Sequence, residues 1–187
     1  MTRTATAAEA ALDDATLAGR ARDGDVRAYE QLVLRYQGPM FRLAAKMLAD
    51  RAEAEDVTQE VFLTAWRRMG QLQDDSAFAG WLYRATTNRC LNVIRSRQLP
   101  ADVDPDTTAS RTDTHPEHAA QVNGQLAALT AALQRLTPEQ RACWLLREVH
   151  GRSYEEIGEI VGTNTTAVRG RIARARAQLA EVMKPWR

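Results

Sequence analysis

The sequence predicts an all-α chain, with two small helical domains joined by an acidic, flexible linker. Three observations carry that expectation. Apolar residues recur at three- and four-residue spacing, and no stretch alternates for long with period two. Helix-start and helix-stop residues punctuate these segments at regular intervals. Between residues 99 and 117 the periodicity stops. LPADVDPDTTASRTDTHPE holds Pro100, Pro105 and Pro116, and five acids (Asp102, Asp104, Asp106, Asp113, Glu117) against one base, Arg111. That is the composition of a linker, not of a core element. The expected organisation is a loose tail over 1–12, a helical domain over 13–98, the linker over 99–117 and a second helical domain over 118–187.

In the first domain, Asp13 or Asp14 caps a helix running to Arg22. Gly24-Asp25 breaks it and caps a second, with Ala28, Leu32 and Val33 inward. Pro39 suits the first turn of a third helix carrying Phe41, Leu43, Ala44, Met47 and Leu48. A fourth runs from about Ala52 to Met69, with Val57, Val61, Phe62, Ala65, Trp66 and Met69 as its apolar stripe. A polar loop spans Gly70 to Ser76, and a fifth helix follows from about Ala77 to Arg97. In the second domain an Ala/Leu helix covers about His118 to Arg135. Thr137-Pro138-Glu139-Gln140 is a capping box opening a helix with Ala142, Leu145, Leu146 and Val149 inward. Ser153-Tyr154-Glu155-Glu156 is a second box, opening a short helix with Tyr154, Ile157 and Val161 inward. Gly162 ends it in the left-handed conformation, and Asn164 caps a last helix with Val168, Ile172, Ala175 and Leu179 inward.

Composition excludes several classes. Of 187 residues, 44% are hydrophobic, which suffices for a core. No apolar run approaches the roughly 18 residues of a membrane span. The N-terminus lacks the apolar segment of a secretory signal. Cys90 and Cys143 are isolated and form no metal-ligand spacing. A cytoplasmic protein is expected. His115, His118 and His150 have no nucleophile or metal partner in the pattern, so no catalytic site, metal or cofactor is expected. The net charge of +1 looks unfavourable for a nucleic-acid partner, but the sum hides a segregated pattern.

Three charged faces stand out. On the fourth helix Asp56, Gln59, Glu60 and Leu63 fall at i, i+3, i+4 and i+7, so they share one side. This is either a solvated face or a docking surface for a basic partner. On the fifth, Arg84, Arg89, Arg95 and Arg97 meet no acid between Ala77 and Gln98. Asn88 and Asn92 lie one turn apart there, and Phe78, Trp81 and Tyr83 stand at its start. Basic, amide and aromatic groups together fit unpaired nucleic acid. Trp81 reads as core, while Phe78 is open between core and stacking. The third face closes a helix-turn-helix over 153–176. Gly158 sits where the two helices cross. Thr166, Gly170, Ala173 and Ala177 form a small outward stripe on the last helix, with Arg169 and Arg176 on one flank and Arg171 and Arg174 toward the other. Such a face fits a major groove, with guanidiniums reaching phosphates or guanine.

The ordered segments AEDVTQEVFLTAW (54–66), FAGWLYRATTNRCLNVIR (78–95), LQRLTPEQR (133–141) and GRSYEEIGEIVGTNTTAVRGRIARARAQL (151–179) resemble bacterial RNA polymerase sigma factors of the extracytoplasmic function (ECF) group, in the sigma-70 family. The resemblance implies two helical domains, sigma-2 and sigma-4. It implies that Asp56, Gln59, Glu60 and Leu63 dock on the β′ clamp helices of core polymerase, which also engages the chain through its β subunit. Ser76, Phe78, Arg84, Asn88, Arg89, Asn92 and Arg95 match the part that reads the −10 element and captures a flipped base. Thr165, Thr166, Arg169, Gly170, Arg171, Ala173, Arg174 and Arg176 match the −35 reader. The linker is expected to thread toward the RNA exit path, and an anti-sigma factor is an expected partner. Asn92 stands where many members carry Asp, and Gly170 where Ser is common, which leaves the preferred elements open. The competing readings are a stand-alone helix-turn-helix regulator of duplex DNA and a polymerase-binding adaptor. The first leaves the acidic face unexplained, and the second leaves the Arg-flanked helix unexplained.

Overall fold

The computed structural model describes residues 12–98, 120–182 and Lys184, with the backbone alone over 120–126. The expected tail, apart from its last residue, and the whole linker lie outside the described residues. The described residues form eight α-helices. The first half contains α1 (Asp14–Arg22), α2 (Val26–Leu48), α3 (Arg51–Arg68) and α4 (Phe78–Gln98). The second contains α5 (Ala120–Arg135), α6 (Pro138–Glu148), α7 (Tyr154–Val161) and α8 (Thr165–Val182).

The helix starts follow from local chemistry. Each opening turn leaves backbone N–H groups without intrahelical partners, and a short polar side chain satisfies one or two of them. Asp13 accepts from Thr16 N, Asp25 from Arg27 N and Ala28 N, and Asp50 from Glu53 N. Thr137 and Ser153 form the two expected reciprocal boxes, with Gln140 and Glu156. Asn164 accepts from Ala167 N at 2.8 Å. Gly24 and Gly162 take positive φ at the expected breaks.

One break does not occur. Pro39 was expected to start a new helix, yet it lies inside the continuous α2. The apolar face runs through it: Leu32, Met40, Leu43 and Met47 are each fully buried. Burying these side chains is worth about 1.5–3 kcal/mol apiece, which together exceeds the roughly 3 kcal/mol an interior proline costs. The loop before α4 is also more ordered than expected, with 3₁₀ turns at Met69–Gln71 and Asp75–Ala77.

Leu17, Leu32, Leu43, Val57, Val61, Leu82 and Cys90 fill the first half. Leu133, Leu145, Leu146, Ile157, Val168 and Ile172 fill the second. The halves lie against each other, α5 and α6 on α2, and α6 and α7 on α4. Arg141 of α6 joins them. It is 4% exposed. Its guanidinium donates to the carbonyls of Leu133, Gln134 and Leu136 in its own half and of Met47 in the other. Gln134 Nε2 adds a bond to Lys46 O at 3.2 Å. The C-terminal carbonyls of α2, left over by the helix, are thereby partly satisfied from the second half.

Candidate nucleic-acid and protein interfaces

The acidic face of α3 is presented as expected. Asp56, Gln59, Glu60 and Leu63 are all exposed, Leu63 at 57%. The structure adds an apolar component beside them. Gln59 and Leu63 form one bank of an open groove of about 500 Å³ between α2 and α3, with Val26, Tyr29, Val33 and Trp66 along it. Trp66 was expected inward. It is 38% exposed instead, its ring 4.9 Å from that of Tyr29. Tyr29 Oη donates to Phe62 O, and burial pushes its pKa up to about 12. Sequence reasoning missed this groove. The signal was present: Val26 and Tyr29, one turn apart, join Val33, already read as inward, at i, i+3 and i+7 along one side of the helix.

On α4, Arg84, Asn88, Asn92 and Arg95 share one exposed face, and Arg95 Nη1 donates to Asn92 Oδ1 at 3.1 Å. Arg89 departs from it. Five residues from Arg84, it lies toward α3 and pairs with Glu60 at 2.7 Å. Arg97 likewise pairs with Glu53 across the same helix junction. The structure resolves the two aromatics left by the sequence. Phe78 is the core residue, 2% exposed and edge-on to Tyr36, while Trp81 is half-buried. A shell of about 160 Å³ opens between Met69, Leu72, Phe78 and Trp81, so Phe78 offers an edge of a cavity rather than a surface ring. Ser76 is exposed and bonded to Asp74.

The helix-turn-helix forms from α7 and α8. A Cβ on Gly158 would stand 2.7 Å from Thr163 O, so the turn needs a residue without a side chain there. Gly162 supplies the left-handed cap at φ 67°. Val149 was read as inward and is 42% exposed, because α6 ends at Glu148 and the helical register stops with it. On α8, Val168, Ile172, Ala175 and Leu179 are buried, and Thr166, Ala173 and Ala177 are exposed. The predicted arginines divide by partner. Arg169 lies over the Tyr154 ring at 5.1 Å, a ring that Arg147 also covers at 4.7 Å. Arg176 pairs with Glu148 at 2.5 Å. Arg171 is half-buried and interacts with the Cys143 thiol. Arg174 is exposed, folded back over Gly170, whose missing side chain leaves it room. Thr165 begins the helix.

Both cysteine thiols are buried. Desolvation pushes the Cys90 thiol up to about 12 and raises Cys143 as well. Among the described residues no three of His, Cys, Asp and Glu are placed to hold a metal ion. Among the described residues no helix is long and apolar enough to cross a membrane.

Comparison with known proteins agrees with this geometry. Residues 32–99 match the family model of sigma-70 region 2, and residues 126–179 that of sigma-70 region 4. The chain is 35% identical to the RNA polymerase sigma-H factor of Pseudomonas aeruginosa, covering 92% of this chain and 94% of that one. It is 32% identical to the ECF RNA polymerase sigma-E factor of Escherichia coli K12, over 93% and 96%. Among solved structures it is similar to CnrH in complex with the cytosolic domain of CnrY, with a TM-score of 0.72, 27% identity, and 92% and 97% coverage. The two family-model matches fall one on each helical half, and the two relatives cover 92% and 93% of the chain. The chain belongs to the extracytoplasmic function group of bacterial RNA polymerase sigma factors, in the sigma-70 family.

Proposed function

We propose that this sigma factor, which directs promoter-specific transcription by core RNA polymerase, divides its work among the three surfaces as follows. The α3 face, Asp56, Gln59, Glu60 and Leu63, docks on the β′ clamp helices, and the groove with Val26, Tyr29 and Trp66 receives apolar side chains of the same partner. Charged groups at the rim set orientation, and the apolar floor supplies affinity. The α4 face and its preceding turns read the −10 element. Arg84 and Arg95 meet phosphates, Asn88 and Asn92 meet base edges, and the small cavity edged by Phe78 and Trp81 takes a base out of the stack. The α8 face reads the −35 element, with Arg174 and Arg169 beside the small stripe.

The chain carries no chemical step in this reading. Its buried, protonated thiols are unsuited to nucleophilic attack. Opening is driven by capture of unpaired bases. Polymerase fixes the spacing of two weak sites, so each raises the effective concentration of the other. The site of action is the cytoplasm, where polymerase and promoter meet. CnrH is held by the cytosolic domain of CnrY, and an anti-sigma protein of that kind is a proposed partner here.

The observation that supports this assignment best is the outward face of α8, small along its centre and flanked by arginines, on a helix whose other face is fully buried. The test is transcription in vitro on genomic fragments, with core polymerase and with or without the chain. Chain-dependent start sites with shared upstream elements are expected. In the same assay Glu60→Lys should abolish polymerase association while leaving helicity intact. Normal association would remove the α3 assignment, and DNA binding without polymerase at physiological salt would favour a stand-alone regulator.

A further inference from the structure

The junction between the halves is sealed by side chains from both sides, and it is not fully satisfied. His150, just beyond α6, brings Nδ1 to 3.3 Å from Tyr83 Oη of α4, with the rings edge-on at 5.3 Å. The Arg152 guanidinium lies over the same tyrosine ring, 4.1 Å from its centre, and its Nη1 donates to Glu156 at 3.0 Å. Tyr83 is 4% exposed. Two polar atoms are enclosed there without a hydrogen-bond partner, His150 Nε2 and Arg152 Nε. Unpaired buried polar atoms favour any arrangement that returns them to water. This interface therefore holds the halves together while storing a reason to open.

Closure has a consequence for the −10 face. Ser76, Gly80 and Arg84 form one wall of a cleft of about 380 Å³, and Arg152, Glu156 and Glu159 form the other. The α7 carboxylates thus stand across the cleft from Arg84, which is itself exposed. The groups around His150 are Arg42 and Lys46 from α2, Tyr83 from α4 and Arg152 from the turn before α7. A charged imidazole would join three cations in a partly desolvated space.

We propose that Tyr83, His150 and Arg152 form an intramolecular latch that holds the two halves of the free chain closed, with the α7 carboxylates across the cleft from Arg84, and that protonation of His150 releases it. The placing of α7 across from a DNA-reading face rests on the −10 assignment above; the latch itself does not. The direction follows from linkage. In the closed state burial, with Arg42, Arg152 and Lys46 nearby, holds the His150 pKa down to about 4. In the open state the ring returns to an ordinary value near 6.5. The closed state binds fewer protons, so closure is complete above about pH 6.5. It weakens roughly tenfold per pH unit as pH falls toward 4.

The test uses the full chain, labelled at Arg67→Cys on α3 and Gln178→Cys on α8, both exposed positions, with single-molecule energy transfer at pH 7.5 and 5.5. One short-distance population is expected at pH 7.5, and a long-distance one should grow about tenfold at pH 5.5. Arg152→Ala should populate the long distance at pH 7.5. His150→Gln, which stays neutral, should flatten the pH response. An unchanged distance distribution in Arg152→Ala, or a full pH response in His150→Gln, would overturn the latch. Binding of a −10 fork DNA by the free chain should rise several-fold in Arg152→Ala. If the halves separate but neither fork binding nor polymerase-dependent transcription is seen, the −10 assignment fails and the latch stands.

Discussion

The two arginine-bearing helices assigned to DNA differ in how ready they are. On α8 the outward face is open, with Thr166, Ala173 and Arg174 exposed. On α4 the charges are largely engaged within the chain. Arg89 is held by Glu60 and Arg97 by Glu53, and Arg84 faces α7 across a cleft. The proposed −35 surface is open along its length, whereas the proposed −10 surface, though exposed, has the α7 carboxylates across a cleft from Arg84 at one end. That difference suits a protein that finds duplex DNA with one half and opens it with the other only once polymerase has separated them.

The largest expected effect concerns what joins the two halves. Arg141→Ala removes donors to three carbonyls of the second half and to Met47 of the first. Leaving such groups unpaired should cost about 3 kcal/mol in denaturant unfolding. A loss confined to the second half would show that the halves unfold separately. Next, Gly158→Ala drives a Cβ against Thr163 O and should cost about 2 kcal/mol, with loss of −35 binding while α3 still docks on polymerase. A neutral substitution would mean the turn is looser than its geometry implies.

The contrast between the two surfaces is tested most directly by paired arginine changes. Arg174→Ala should weaken −35 duplex binding by about tenfold and lower the log–log salt slope by roughly one. Arg84→Ala should leave the fork-DNA affinity of the free chain nearly unchanged at pH 7.5, yet impair opening with polymerase. Equal effects of the two would erase the distinction between an open surface and one faced by α7. Ser153→Ala removes a reciprocal cap on α7 and should cost about 1 kcal/mol in thermal unfolding. The smallest effect is expected for Glu60→Gln. The Glu60–Arg89 pair is exposed on both sides, so stability should change by less than about 0.5 kcal/mol. A large loss would make Glu60 a structural residue rather than a docking one.

Much of the candidate site is legible in the sequence because it rests on local periodicity. Asp56, Glu60 and Leu63 emerge from a wheel, and so does the small stripe of α8, since a helix converts spacing into a face. Gly158 and Gly162 are legible because a close approach and a left-handed cap each demand a residue type. The errors share a cause. Trp66 and Val149 read as inward because apolar side chains are usually buried, but an open surface groove and a helix end are where that expectation fails. Phe78 stays open in the sequence, and Trp81 is only partly buried, because which of two aromatics turns inward depends on Tyr36, far away in sequence. Pro39 misled because burial along α2 outweighs the local cost of the ring.

The sequence by itself determined most helix starts, their caps, the two-part plan and the residue types on each exposed face, though not the continuity of α2 through Pro39. These depend on interactions within one or two turns, whose energies do not wait for the fold. The tertiary structure alone decided which charges remain available. The Arg89–Glu60 pair spans 29 residues and the Tyr83–His150 contact spans 67. No local pattern encodes such pairings. They follow from which helices pack together, and packing is set by the summed burial of both halves rather than by any one segment.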